Sequence, residues 1–136
     1  MKLKQWIILC VAGIVLWFLA ALLIRVLSPL GALDDGARVL TYLLVIPGTA
    51  PFIWGLVQLA DLRTGQVGLG AAIATMTAMF FDGIALGWFA GLYGSVLSHQ
   101  AMAGAVILWG AAIAIATGFV FDHLGWGKRA SMTNES

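Results

Sequence analysis

The 136-residue chain is 62% hydrophobic and only 10% charged, with a formal net charge of +1 and a mean hydropathy of +1.01. A chain this small and this apolar cannot shelter its side chains in one water-soluble core, so its composition calls for the lipid bilayer as solvent. The near-zero charge excludes the basic footprint of a nucleic-acid binder, and a single cysteine, Cys10, excludes an intrachain disulfide or a Cys/His metal constellation.

Four apolar runs, at about 6–27, 39–60, 67–89 and 101–121, reach the roughly 20 helical residues that a hydrocarbon core requires. Met1-Lys-Leu-Lys4 ahead of the first run has the charge of a signal peptide. The run is too long for a typical signal sequence, however, and Leu22-Leu-Ile-Arg-Val-Leu27 lacks the small residues of a cleavage site. It is read as a membrane helix that places Gly13, Trp17, Ala21 and Arg25 on one stripe.

The second run contains Ile46-Pro-Gly-Thr-Ala-Pro51. Pro47 and Pro51 remove two backbone donors and leave the carbonyls of Leu43 and Pro47 without their usual partners, so a helix break is expected at Pro47, Gly48 and Pro51. In the third run Gly70, Ala74, Ala78 and Asp82 recur every four residues, with Gly83, Gly87 and Gly91 as a second row. Small residues at this spacing let helix backbones approach closely in lipid, which makes the third helix the expected centre of packing. Gly110, Ala114 and Gly118 repeat the pattern in the fourth run, and a short polar tail, 128–136, follows. The short connections predict one membrane domain, an all-α bundle of four transmembrane helices with sequential helices as antiparallel neighbours.

Asp82 stands inside an otherwise apolar segment. An unpaired carboxylate there costs about 2.5–3.5 kcal/mol on insertion scales, so it needs a partner or a proton. Arg25 is the first candidate and Arg38 the second, because a guanidinium can hold a carboxylate bidentately. The alternative is a neutral carboxyl. A permanent pair would fix helix register, whereas an exchangeable group would mark a path for protons or cations.

Lys2, Lys4, Arg63, Lys128 and Arg129 fall on one side of the predicted bundle and Arg25 and Arg38 on the other. Five against two places both termini in the cytoplasm by the positive-inside rule. His99 and His123 fall on opposite sides, too far apart for a shared haem. No metal and no cofactor is expected.

The first helix ending in Leu-Ile-Arg25, the segment Met79-Phe-Phe-Asp82-Gly-Ile-Ala-Leu and the later Leu108-Trp-Gly-Ala together resemble a family of small bacterial four-helix membrane proteins of unknown function. The resemblance spans most of the chain and implies a bacterial inner-membrane protein, but it carries over no functional residues. Small multidrug-resistance transporters share the size and place their essential glutamate in the first helix, where this chain has none. Fluoride channels insert in both orientations, which the charge bias here opposes. No Ser/His pair, HExxH pattern or paired intramembrane carboxylates supply an enzyme mechanism. The expected function is that of a non-enzymatic membrane protein packing against other chains or itself, as an accessory subunit or homo-oligomer with lipid as its surroundings. The alternative is a small proton- or cation-coupled transporter using Asp82.

Overall fold

A computed structural model describes residues 1–129; positions 130–136 of the predicted tail lie outside the described residues. The chain forms α1 (Leu3–Leu27), a 3-10 turn (Ser28–Leu30), α2 (Asp35–Leu59), α3 (Val67–Trp88), a second 3-10 turn (Ala90–Leu92) and α4 (Leu97–His123). All four helices are long and apolar enough to cross a membrane. The shortest has 22 residues and the longest 27, which at the helical rise is about 33–40 Å against a hydrocarbon core of about 30 Å.

The helices overrun the apolar runs at several ends. α2 begins at Asp35 and α4 at Leu97, each four residues before its predicted start. Hydropathy ends where polar side chains begin, but backbone hydrogen bonding does not. Asp35 and Arg38 in one helix, and His99 and Gln100 in the other, continue it beyond the apolar runs.

α3 lies between α1 and α4, while α2 packs chiefly on α4 and scarcely touches α1. The first pair of sequential helices is therefore not a pair of neighbours, contrary to the expectation from connection length. The small face of α1 is occupied by α3: a Cβ on Gly13 would collide with the Ala74 carbonyl oxygen and lie 2.8 Å from Thr77 Cβ. On the other side of α3, a Cβ on Gly118 would stand 2.5 Å from Ala71 Cβ and 3.2 Å from Gly68 Cα. Both crossings bring backbones together where a side chain is missing, which maximises dispersion contacts in a solvent that provides no hydrophobic force. α3 accordingly carries ten buried residues, against four each in α1 and α2 and five in α4.

α2 runs unbroken through Pro47, Gly48 and Pro51, which corrects the expected break. All three residues lie on an exposed face, so the proline rings meet no neighbouring helix. Thr49, buried two residues after Pro47, donates its hydroxyl to the Ile46 carbonyl at 2.8 Å. Its oxygen is also 3.0 Å from Thr117 Oγ1 on α4, so the hydroxyl beside the prolines serves the helix and the interface at once.

Candidate functional site

Asp82 is 6% exposed, six residues before the end of α3. After Trp88 the chain reverses through the second 3-10 turn, whose C-cap is Tyr93. Tyr93 is fully buried and donates its hydroxyl to Asp82 Oδ1. Its oxygen in turn accepts the indole N–H of Trp17 from α1 at 3.1 Å. The Trp17 ring is held against Phe81, with centroids 5.3 Å apart. A directed chain of donors, Trp17 to Tyr93 to Asp82, therefore ties α1 and the loop after α3 to α3 itself. Burial, followed by the Asp82 hydrogen bond, raises the Tyr93 hydroxyl well above the usual phenol range, so it remains a donor at any physiological pH.

The partner of Asp82 is thus a phenol rather than an arginine. Arg25 is exposed near the end of α1. Arg38 is partly exposed, places Nη1 3.1 Å from Met102 Sδ and stands 3.9 Å from Asp35. The physical reason is desolvation: a guanidinium at a helix end can extend its head toward water, whereas following Asp82 into the bundle would cost more than the pair returns. We expect Tyr93→Phe to lower stability by about 2 kcal/mol, the cost of leaving a buried carboxyl without its donor. Arg25→Gln should leave the melting temperature in detergent unchanged. In an Asp82→Leu background Tyr93→Phe should cost far less, and equal losses in both backgrounds would show that the two groups are not coupled.

The glycine rows separate. Gly70 packs under Leu62, with Cδ1 2.5 Å from where its Cβ would be, and Ala74 and Ala78 are buried beside it. Gly83 and Gly87 lie on α3, but α3 ends at Trp88 and Gly91 falls in the 3-10 turn, so the expected row is cut short. All three are exposed, and a Cβ on any of them would meet nothing within 4 Å among the described residues. On α4, Ala114 and Gly118 are buried, while a Cβ on Gly110 would lie 3.8 Å from Val45 Cγ1 of α2, an ordinary contact.

The opposite end of the bundle carries a second polar lock, which the residue pattern did not reveal. Asp122, in the last turn of α4, accepts the backbone N–H groups of Gly65, Val67 and Gly68 at 2.8, 3.0 and 2.7 Å. Gln66, the N-cap of α3, makes no side-chain cap of its own. That missing cap was the available signal: a buried helix start without Ser, Thr or Asp at its N-cap needs an acceptor from elsewhere. Tyr93 had a fainter signal, as one of two tyrosines in the chain and the one that follows the helix bearing Asp82.

Nearby, the connection between α2 and α3 pairs with the segment after α4. Lys128 donates its backbone N–H to the Leu62 carbonyl at 2.8 Å, and its carbonyl accepts the Thr64 N–H at 3.3 Å. The Lys128 ammonium bonds the Asp61 carboxylate, which holds that exposed carboxyl below its usual range. Gln5 Nε2 donates to the Ala60 and Asp61 carbonyls at 3.0 and 3.2 Å, so the start of α1 joins the same cluster.

Compared with protein-family models, curated proteins and solved structures, the chain matches none.

Proposed function

We propose that this is a non-enzymatic integral membrane protein that associates with other membrane-embedded chains, a second copy of itself included, through the outer face of α3. The observation that carries this reading is the open pair Gly83 and Gly87 on α3, continued by Gly91 in the turn beyond it, where no atom of the described residues fills the space a Cβ would take. Exposed apolar side chains such as Phe80, Ile84 and Trp88 are ordinary on a lipid-facing surface. Bare backbone at four-residue spacing is what a second helix can use, because only there can two backbones come close. Small residues on the inner side of the same helix perform that role, Ala74 against Gly13 and Gly68 and Ala71 against Gly118.

The competing reading, proton- or cation-coupled transport through Asp82, draws less support. Its carboxyl is engaged by Tyr93 and is 6% exposed. The charge bias favours termini in the cytoplasm, and the resemblance in sequence favours a bacterial inner membrane; both belong to the same proposal.

Gly87→Leu tests it cleanly. The new side chain enters open space in the monomer, and leucine favours the helix over glycine by up to about 1 kcal/mol. The monomer should therefore fold at least as well as the parent, while assemblies seen by crosslinking in membranes or sedimentation in mild detergent shift to monomer. A parent that is already monomeric and copurifies with no other membrane chain, or a variant that assembles like the parent, would remove this reading.

A further inference from the structure

The end of the bundle that gathers the two termini of the helical region forms an open cavity of about 700 Å³ between the start of α1, the connection after α2 and the segment after α4. Five of the chain's seven lysines and arginines line it: Lys2, Lys4, Arg63, Lys128 and Arg129. Among the described residues that line it Asp61 is the one carboxylate, and it is bonded by Lys128. Lys2, Lys4, Arg63 and Arg129 thus border one concave space without forming a salt bridge among the described residues. The volume falls within the range of about 300–1,000 Å³ typical of small-ligand sites.

Like charges repel, and residues 2, 4, 63, 128 and 129 come from three separate parts of the chain. Their convergence is not a by-product of local sequence. It is enforced by named contacts: Gln5 on the Ala60 and Asp61 carbonyls, and the backbone pairing of Lys128 with Leu62 and Thr64. A fold that spends hydrogen bonds to hold cations together gains when an anion sits among them.

We propose that this cavity binds the phosphate of an anionic lipid headgroup. Its position favours lipid over a soluble anion. It opens at the helix ends, where headgroups lie, and Ile8 and Leu59 line it on the apolar side, with Leu59 67% exposed where an acyl chain would pass. Basic pockets between transmembrane helices recognise anionic headgroups through this combination of clustered cations and adjoining apolar surface.

The full-length protein, delipidated in a neutral detergent, is titrated with phosphatidylglycerol, phosphatidylcholine and inorganic phosphate, with binding read by native mass spectrometry and thermal shift. Each cation at an anionic surface contributes about fivefold, so Lys4→Gln/Arg63→Gln should weaken phosphatidylglycerol binding by about 25-fold. Rising salt should weaken the parent in the same direction, and Arg25→Gln at the far end should not. Neither Lys4 nor Arg63 uses its side chain in a hydrogen bond among the described residues, so the double variant should keep the parent's melting temperature without lipid. Should it not, Lys4→Gln alone should still lose about fivefold. Equal binding of the two lipids, or undiminished binding by a folded variant, overturns the site. Displacement of phosphatidylglycerol by inorganic phosphate at equal concentration overturns the lipid assignment and leaves a soluble phosphate as the ligand.

Discussion

Replacing Asp122 by alanine should lower stability by about 3 kcal/mol, one of the two largest losses expected from a single substitution in this chain. The side chain accepts the backbone N–H groups of Val67 and Gly68 in the first turn of α3 and of Gly65 just before it, at 2.7 to 3.0 Å. A helix start leaves four such donors without intrahelical partners, and here no residue of α3 supplies a cap. An ordinary cap is worth about 0.5–2 kcal/mol. A charged acceptor serving three donors is worth more, though less than three separate bonds, because water reaches this end of the bundle and replaces part of the loss. Asp122→Asn keeps one acceptor oxygen in place and should cost about 1 kcal/mol. Unfolding in detergent measures both, and hydrogen exchange at Gly68 should accelerate in the alanine variant. An alanine variant as stable as the parent would mean that α3 starts without help from α4.

Gly13→Ala should be comparably damaging, at about 3 kcal/mol, although it adds one methyl group. That methyl would collide with the Ala74 carbonyl oxygen and crowd Thr77. A carbonyl oxygen cannot rotate aside as a side chain can, so α1 and α3 must separate along their whole crossing and lose contacts on both faces. Gly48→Ala supplies the control, with the same chemical change in a helix where the new Cβ meets nothing. It should be neutral or stabilising by up to about 1 kcal/mol through helix propensity. The pair is read by the amount of folded protein in the membrane and by melting temperature. If Gly13→Ala melts with Gly48→Ala, the two helices do not cross at this glycine.

The two substitutions also show where the reading of residues stops. Both are glycines in apolar helices, and nothing in their neighbours distinguishes a backbone crossing from open lipid. The same holds within α3, where the row through Ala74 and Ala78 and the row through Gly83 and Gly87 have one spacing and one chemistry. The first is buried and the second is bare, because α1 and α4 occupy one side of the helix. Helix order was likewise hidden. Connection length alone put α2 beside α1, yet α2 lies on α4, since the small face of α1 had already been taken by α3.

What the residues determined by themselves was the solvent and the elements. Transfer from water to hydrocarbon is a sum over side chains, so composition and run length suffice to place four spanning helices and to mark Asp82 as a group that needs a partner. The partner was decided by tertiary structure. Trp17 and Tyr93 are 76 positions apart, and Asp122 lies 57 positions beyond Gly65, so no local pattern could join them. A carboxyl in a bundle takes the donor that the folded chain brings within reach at the smallest desolvation cost. Arg25 had the stronger charge but could keep its guanidinium near water, whereas Tyr93 could be buried with its ring in the core and its single polar atom on Asp82.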